Sequence, residues 1–148
     1  MSNVNFYEVN SSNYDVVICK LLLKCYESKK NTLVIFENNE KMEQIDKTLW
    51  SYTQKEFIPH ATMHDLYPQK QPILLSTEYN NINNSKILVL ISSNIKTEEI
   101  ENFEKSIFIF NGLEENTDKF KNLFDGIDIK SKNYYKQNAK GLWEECYI

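Results

Sequence analysis

Lys86-Ile-Leu-Val-Leu-Ile-Ser92 is the stretch on which the fold turns. Its unbroken apolar centre is too short for a buried helix and is bounded by polar residues, which is the pattern of a strand covered on both faces. Thr32–Phe36 and Ser106–Phe110 repeat that pattern, Val4–Val9 is a weaker strand rich in β-formers, and Ile73–Ser76 is a short one. Between the strands lie helical stripes. Tyr14, Val17, Ile18, Leu21, Leu22 and Cys25 follow the polar turn Asn10–Asn13 at i, i+3, i+4, i+7, i+8 and i+11. Asn38–Glu40 caps a second helix whose Met42, Ile45 and Leu49 share a face, with Trp50 at its end, and Lys96–Phe103 reads as a third. Strands alternating with helices predict a three-layer α/β/α Rossmann-like fold with a mainly parallel sheet and right-handed crossovers. Leu88, Leu90, Val34 and Ile109 are its expected core.

The C-terminal third is read from spacing as well. Phe120, Leu123, Phe124, Ile127, Ser131, Tyr134, Tyr135 and Asn138 keep helical intervals through Gly126. They predict one long helix from about Glu114 to Lys140, stopped by Gly141. The likeness of Phe110-Asn-Gly-Leu to Phe124-Asp-Gly-Ile leaves open a turn at Asp125-Gly126 and two helices.

Composition narrows the function. A chain of 148 residues, 41% hydrophobic and 13% aromatic, fits one domain spanning 1–148 without metals or disulfides. Its three cysteines, Cys19, Cys25 and Cys146, form no Cys-x-x-Cys pair. No leader pattern or membrane-length apolar run is present, so a soluble, cytoplasmic protein is expected. A net charge of −4 argues against a surface that grips nucleic acid throughout. Gly112, Gly126 and Gly141 belong to no phosphate-binding motif, so neither nucleotide chemistry nor any other cofactor is expected. His60 and His64 are four apart near Asp65, but no third metal ligand accompanies them, and surface or capping roles fit better. The sequence makes no positive case for catalysis.

Two clusters fit binding. Leu49-Trp50 and Phe57-Ile58-Pro59-His60 gather large rigid side chains at an irregular segment, the composition of an interface anchor or of a core margin. Lys130, Lys132, Tyr134, Tyr135, Lys136 and Lys140 interleave cations with aromatics. That mixture suits an acidic peptide with an apolar end, a nucleic-acid strand, or a plain solvated face.

These residues resemble the chi subunit family of bacterial DNA polymerase III over nearly the whole chain. The likeness runs from Asn5-Phe6-Tyr7 through Leu33–Glu37 to the Pro72-Ile73 and Lys-Ile-Leu-Val-Leu-Ile strands. Its most specific part is an acidic residue, Leu49-Trp50, then Phe57-Ile58-Pro59-His60, and Lys132-Asn133-Tyr134-Tyr135-Lys136 matches the family's basic and aromatic signature. The resemblance implies a non-catalytic accessory subunit of the replicase. It would link the clamp-loader side, through a psi partner where one exists, to single-stranded-DNA-binding protein, and so reach DNA indirectly. It also implies that Lys132, Tyr135 and Lys136, on the last helix, hold that protein's acidic, Phe-ending tail. Trp50, Phe57 and Ile58 would meet the partner subunit. Two departures stand out. The segment before Tyr135 is longer than the family's, which leaves Tyr134 or Tyr135 as the anchor, with Tyr135 favoured by its flanking lysines. The family's arginine cluster is absent, lysines standing in its place. The competing readings are a small α/β enzyme and a stand-alone single-strand nucleic-acid-binding protein.

Overall fold

The computed structural model describes residues 2–52, 58–91, 97–113, 117–129 and 131–146. Strands β1 (Asn3–Val9), β2 (Thr32–Phe36), β3 (Ala61–Thr62), β4 (Ile73–Ser76), β5 (Ile87–Ile91), β6 (Lys105–Asn111), β7 (Lys132–Gln137) and β8 (Trp143–Cys146) form one sheet. Their order is β3-β4-β2-β5-β6-β1-β7-β8, and every pairing is parallel except β7 with β8. The helices are α1 (Tyr14–Glu27), α2 (Asn39–Ser51), α3 (Thr97–Ile100) and α4 (Thr117–Gly126). The expected α/β architecture with a mainly parallel sheet is therefore the one observed. No helix among the described residues is long and apolar enough to cross a membrane.

Strand alternation sorts the core into two layers. Val34, Phe36, Val89 and Ile109 point toward α1 and α2, meeting Ile18, Leu22 and Met42. Leu33, Ile35, Leu88, Leu90, Phe6 and Phe108 point the other way, meeting Ile100 and the Phe120 and Phe124 rings of α4. Leu88, Leu90, Val34 and Ile109 are all buried. The α4 side is dominated by rings. Phe6 stacks on Phe108 at 4.2 Å and meets Phe124 edge-on at 5.2 Å, and Phe110 stacks on Phe120 at 3.9 Å. Asn38 caps α2 by accepting from the Lys41 N–H at 2.9 Å.

The sequence expectation fails in the last third. The helix expected from about Glu114 to Lys140 is instead α4 followed by a β-hairpin, and Glu114 itself lies outside the described residues. Apolar residues at helical spacing end with Ile127. Beyond it, Ser131 and Asn138 kept the interval without supplying a buried side chain, while adjacent tyrosines fit a strand as well. The end of α4 is closed by the Lys132 ammonium, which donates to the carbonyls of Phe124 at 2.7 Å and Ile127 at 3.1 Å. Gly141 ends no helix. It holds a positive φ of 80° in the turn that joins β7 to β8, where its N–H donates to the Asn138 carbonyl at 3.0 Å.

The Asn-rich tract before β5 is a plug. Asn83 is buried, and its amide donates to the carbonyls of Thr32 at 3.3 Å and Gln71 at 3.0 Å while its side-chain oxygen accepts from Ser85 at 2.6 Å. It laces together the starts of β2, β4 and β5. The Ser106 hydroxyl, by contrast, is a buried side-chain polar atom with no partner among the described residues. The two therefore predict opposite signs. Asn83→Ala should lower unfolding free energy by about 1–3 kcal/mol in a denaturant titration, because it removes this partner from the buried Thr32 carbonyl and the buried Ser85 hydroxyl. Ser106→Ala should be neutral or stabilising by up to about 1 kcal/mol.

Candidate docking sites

The residues expected to form one cationic face do not share a face. On β7 side chains alternate, so Lys132, Tyr134 and Lys136 point to the α4 side while Asn133, Tyr135 and Gln137 point to the α1 side. The helical i, i+3, i+4 arrangement of Lys132, Tyr135 and Lys136 is thus replaced by a strand that separates the tyrosine from both lysines. Lys132 is occupied at the end of α4, with its ammonium also 4.8 Å from the Phe124 ring. Lys136 is largely exposed, 3.8 Å from the Glu8 carboxylate. Lys130 lies outside the described residues.

Register decides between the two tyrosines. Tyr134 is fully buried and donates its hydroxyl to Glu8 Oε1 at 2.8 Å, and burial followed by this bond to a carboxylate pushes its pKa far up. Tyr135 is half-buried. Its ring stacks on Tyr7 at 5.2 Å, and Tyr7 in turn meets Trp143 of β8 edge-on at 5.1 Å. Burial and the neighbouring Tyr135 raise the Tyr7 pKa, so the Tyr7 phenol stays a neutral donor around neutral pH. The result is a half-exposed platform of three rings on the flank where the sheet extends two strands beyond β1.

The platform opens into a cavity of about 230 Å³ between the C-terminal half of α1 and the strands beneath it. Tyr7, Leu21, Ile87 and Ile107 give it apolar lining, and Lys24, Lys30, Lys105 and Glu104 line it as well. Lys30 pairs with Glu104 at 3.1 Å, which holds that carboxyl below its ordinary range. Cys25 lines the same cavity. Burial raises its thiol from 9.0 to about 11, against the opposing pull of the Lys105 ammonium and a hydrogen bond with Thr32. Cys19, buried under α1 and repelled by Asp15, rises to about 12. Sequence reading passed over Lys24 and Lys105 because α1 was read only for its buried stripe.

At the opposite edge of the sheet, Trp50 is 57% exposed at the end of α2. Beneath it lies His60, whose buried ring sits 5.0 Å from the indole and faces two acceptors. Nδ1 is 2.8 Å from the Ile58 carbonyl and Nε2 is 2.9 Å from Asp46 Oδ1. Asp46 and Trp50 are one helical turn apart on α2, so a single imidazole ties both to the segment entering β3. His60 is thus neither a surface nor a capping group. His64 makes a separate contact, with Asn39 at 3.4 Å, and the two share no helical face. Of the other expected interface residues, Phe57 lies outside the described residues. Ile58 is only 1% exposed and packs into the α1–α2 core layer.

Residues 1–128 match the family described as DNA polymerase III chi subunit, HolC. A protein of Rickettsia prowazekii (strain Madrid E) named probable DNA polymerase III subunit chi is 31% identical over 98% of this chain and 92% of its own length. Among solved structures, the Hef helicase domain of Pyrococcus furiosus superposes with a TM-score of 0.58 over 94% of this chain. The chain spans 36% of that structure, and at 10% identity the likeness is one of fold alone.

The buried thiols give a pH dependence whose sign is fixed. An unfolded chain releases its thiol protons near the ordinary value of 9.0, whereas folded Cys25 holds its proton until about 11. Above pH 9 the unfolded state therefore binds fewer protons, and stability falls as pH rises. Melting temperature should drop between pH 9 and pH 11, and the drop should be shallower in Cys25→Ala.

Proposed function

The chain belongs to the DNA polymerase III chi subunit family, and from that membership we propose that it is a non-catalytic accessory subunit linking the clamp-loader side of the replicase to single-stranded-DNA-binding protein. Work in DNA replication as a polymerase III subunit comes with the family. The tether is the proposal, and it rests most on one observation: the half-exposed Tyr7–Tyr135–Trp143 platform, beside lysines and an apolar cavity. Such a surface suits the acidic, Phe-ending tail of the binding protein. Rings offer a large apolar area at low entropic cost, and exposed ion pairs add only about 0.2–1 kcal/mol each.

Of the three residues expected to hold the tail, Tyr135 is the one we assign to its apolar end. Lys132 and Lys136 contribute to the local field, but their ammonium groups already have α4 carbonyls and Glu8 for company. Affinity should be micromolar and weakened, not abolished, by salt. At the other edge, Trp50 is the proposed anchor for the neighbouring subunit, a psi partner where the cell has one. An exposed indole steadied from beneath fits the role of a buried hot spot in a complex.

Calorimetry tests the tail. An acidic peptide ending in Phe should bind, the same peptide without its Phe should bind at least about tenfold more weakly, and Tyr135→Ala should lose as much, since burying a Phe side chain is worth roughly 1.5–3 kcal/mol. Equal binding of the two peptides would sink the assignment. For the other edge, Trp50→Ala should release the chain from its reconstituted clamp-loader complex while moving the melting temperature little. A large stability loss with unchanged assembly would make Trp50 structural.

A further inference from the structure

The hydrogen bonds of His60 fix its proton count. Its side chain is 0% exposed, and both ring nitrogens face oxygens: the Ile58 carbonyl lies 2.8 Å from Nδ1 and the Asp46 carboxylate 2.9 Å from Nε2. A neutral imidazole has one N–H, so beside an ionised Asp46 it would turn a lone pair on one of these acceptors. The His60–Asp46 pair satisfies both contacts only when it holds one proton more. The two acceptors differ in freedom. Ile58 is buried in the α1–α2 core layer, whereas the Asp46 side chain is 26% exposed on α2. Asp46 is the only charged side chain within ion-pair distance of the ring among the described residues. Glu43 and Lys47, which flank it on α2, are exposed, and Tyr52 at the end of that helix packs against the core layer. Asp65 accepts from the Thr62 N–H and hydroxyl, and His64 meets Asn39. β4, beside β3, has no ionisable side chain.

We infer that His60 is the positioning residue of the Trp50 edge and works as a proton-dependent clamp. With the proton bound, the ring holds Ile58 and Asp46 together and seats the indole. With the proton lost, one of the two bonds becomes a repulsion, and the exposed partner, Asp46, is the one that turns away. Trp50 lies one helical turn beyond Asp46, with its ring 5.0 Å from the imidazole, so it feels the change twice. A cationic ring attracts the indole face where a neutral one does not, and release of Asp46 removes the tie on the last turn of α2. The sign follows from the proton count. The edge is ordered at lower pH and loosens as pH rises through the range in which histidine gives up its charge. The clamp is a property of this chain alone, and only its effect on assembly rests on the docking role proposed above for Trp50.

The test is nitrogen NMR of the full chain with labelled histidine, between about pH 5.5 and about pH 8.5. His64→Gln removes the signals of the second histidine. The His60 ring should carry two N–H groups at the lower end and one at the upper. In Trp143→Phe, where Trp50 is the remaining tryptophan, its fluorescence should change with the same midpoint. Asp46→Asn should move both midpoints together to lower pH, because it removes the negative charge and keeps an oxygen acceptor. A histidine that merely fills space would leave Trp50 emission indifferent to pH. Wild type should enter the reconstituted clamp-loader complex at least about threefold more weakly at the upper pH, and His60→Gln should lose that dependence. If His60→Gln does not fold, Asp46→Asn makes the comparison, with its loss of assembly displaced to lower pH. A His60 ring with a single N–H throughout, or a Trp50 signal that does not follow the ring, overturns the clamp. If Trp50→Ala leaves assembly intact, the docking reading falls and the spectra alone decide the clamp. If Trp50→Ala releases the chain but wild-type assembly does not change with pH, the docking reading stands and the positioning role of His60 is wrong.

Discussion

The Glu8 carboxylate decides which side of the sheet each residue of β7 occupies. It is 3% exposed, at the β1 position directly beside Lys136 in the parallel register. A carboxyl group so far from water is tolerable only with partners. It has them in the Tyr134 hydroxyl at 2.8 Å and the Asn10 amide at 3.0 Å, with Lys136 at 3.8 Å. Asn10 also donates to the Gln137 carbonyl at 3.2 Å, and its own N–H donates to the Gln137 side chain at 3.1 Å, which ties the end of β1 to the end of β7. A slip of one residue would expose Tyr134, strand Glu8 and carry Tyr135 into the ring layer over α4. The half-exposed platform therefore depends on an acid buried on the opposite face.

That dependence explains why the flank is rigid enough to present rings. Tyr134 belongs to a continuous aromatic layer, 5.9 Å from Phe6 and 5.7 Å from Phe124. Movement of β7 would disturb contacts that reach α4 and β6. The other docking edge is built by different means, an imidazole bridging two acceptors under an indole. The edges lie at opposite ends of one sheet. Seven strand spacings of about 4.8 Å separate β3 from β8, roughly 34 Å before twist. Partners at these two edges would not compete for surface, as the proposed tether requires.

How much of this was legible follows from what each signal measures. β2 and β4 match the apolar runs Thr32–Phe36 and Ile73–Ser76 residue for residue, and α1 its buried stripe, because burial on a regular element writes a period into the sequence. The hairpin was not legible by that rule. Tyr134 and Tyr135 satisfy helical and strand spacing alike, and only the polar character of Ser131 and Asn138 hinted that the helical stripe had ended. Asn83 and Glu8 were hidden for another reason. Their roles come from carbonyls and hydroxyls brought in from 12 to 126 residues away, and no local window records such a contact. For the docking clusters, sequence could name the residue types but not the faces. Ile58 proves to be buried in the core layer, and Lys24 and Lys105 line one cavity that no local stretch of sequence could show.

The lysine composition gives the docking face its character. A guanidinium binds a carboxylate through a planar fork, whereas an ammonium is a strongly hydrated point charge without that geometry. A site made of lysines thus gains little directional energy from its ion pairs and must take discrimination from shape. The chain as a whole carries a net charge of −4, so an acidic peptide is not attracted to it from a distance. On the proposed reading, positive potential is needed only where the peptide ends, and lysines near the Tyr7–Tyr135–Trp143 platform would supply it there. In that reading ring stacking would carry the affinity while charge sets polarity. A contact of the proposed kind would form weakly and release quickly, because neither its ion pairs nor its rings lock a single geometry.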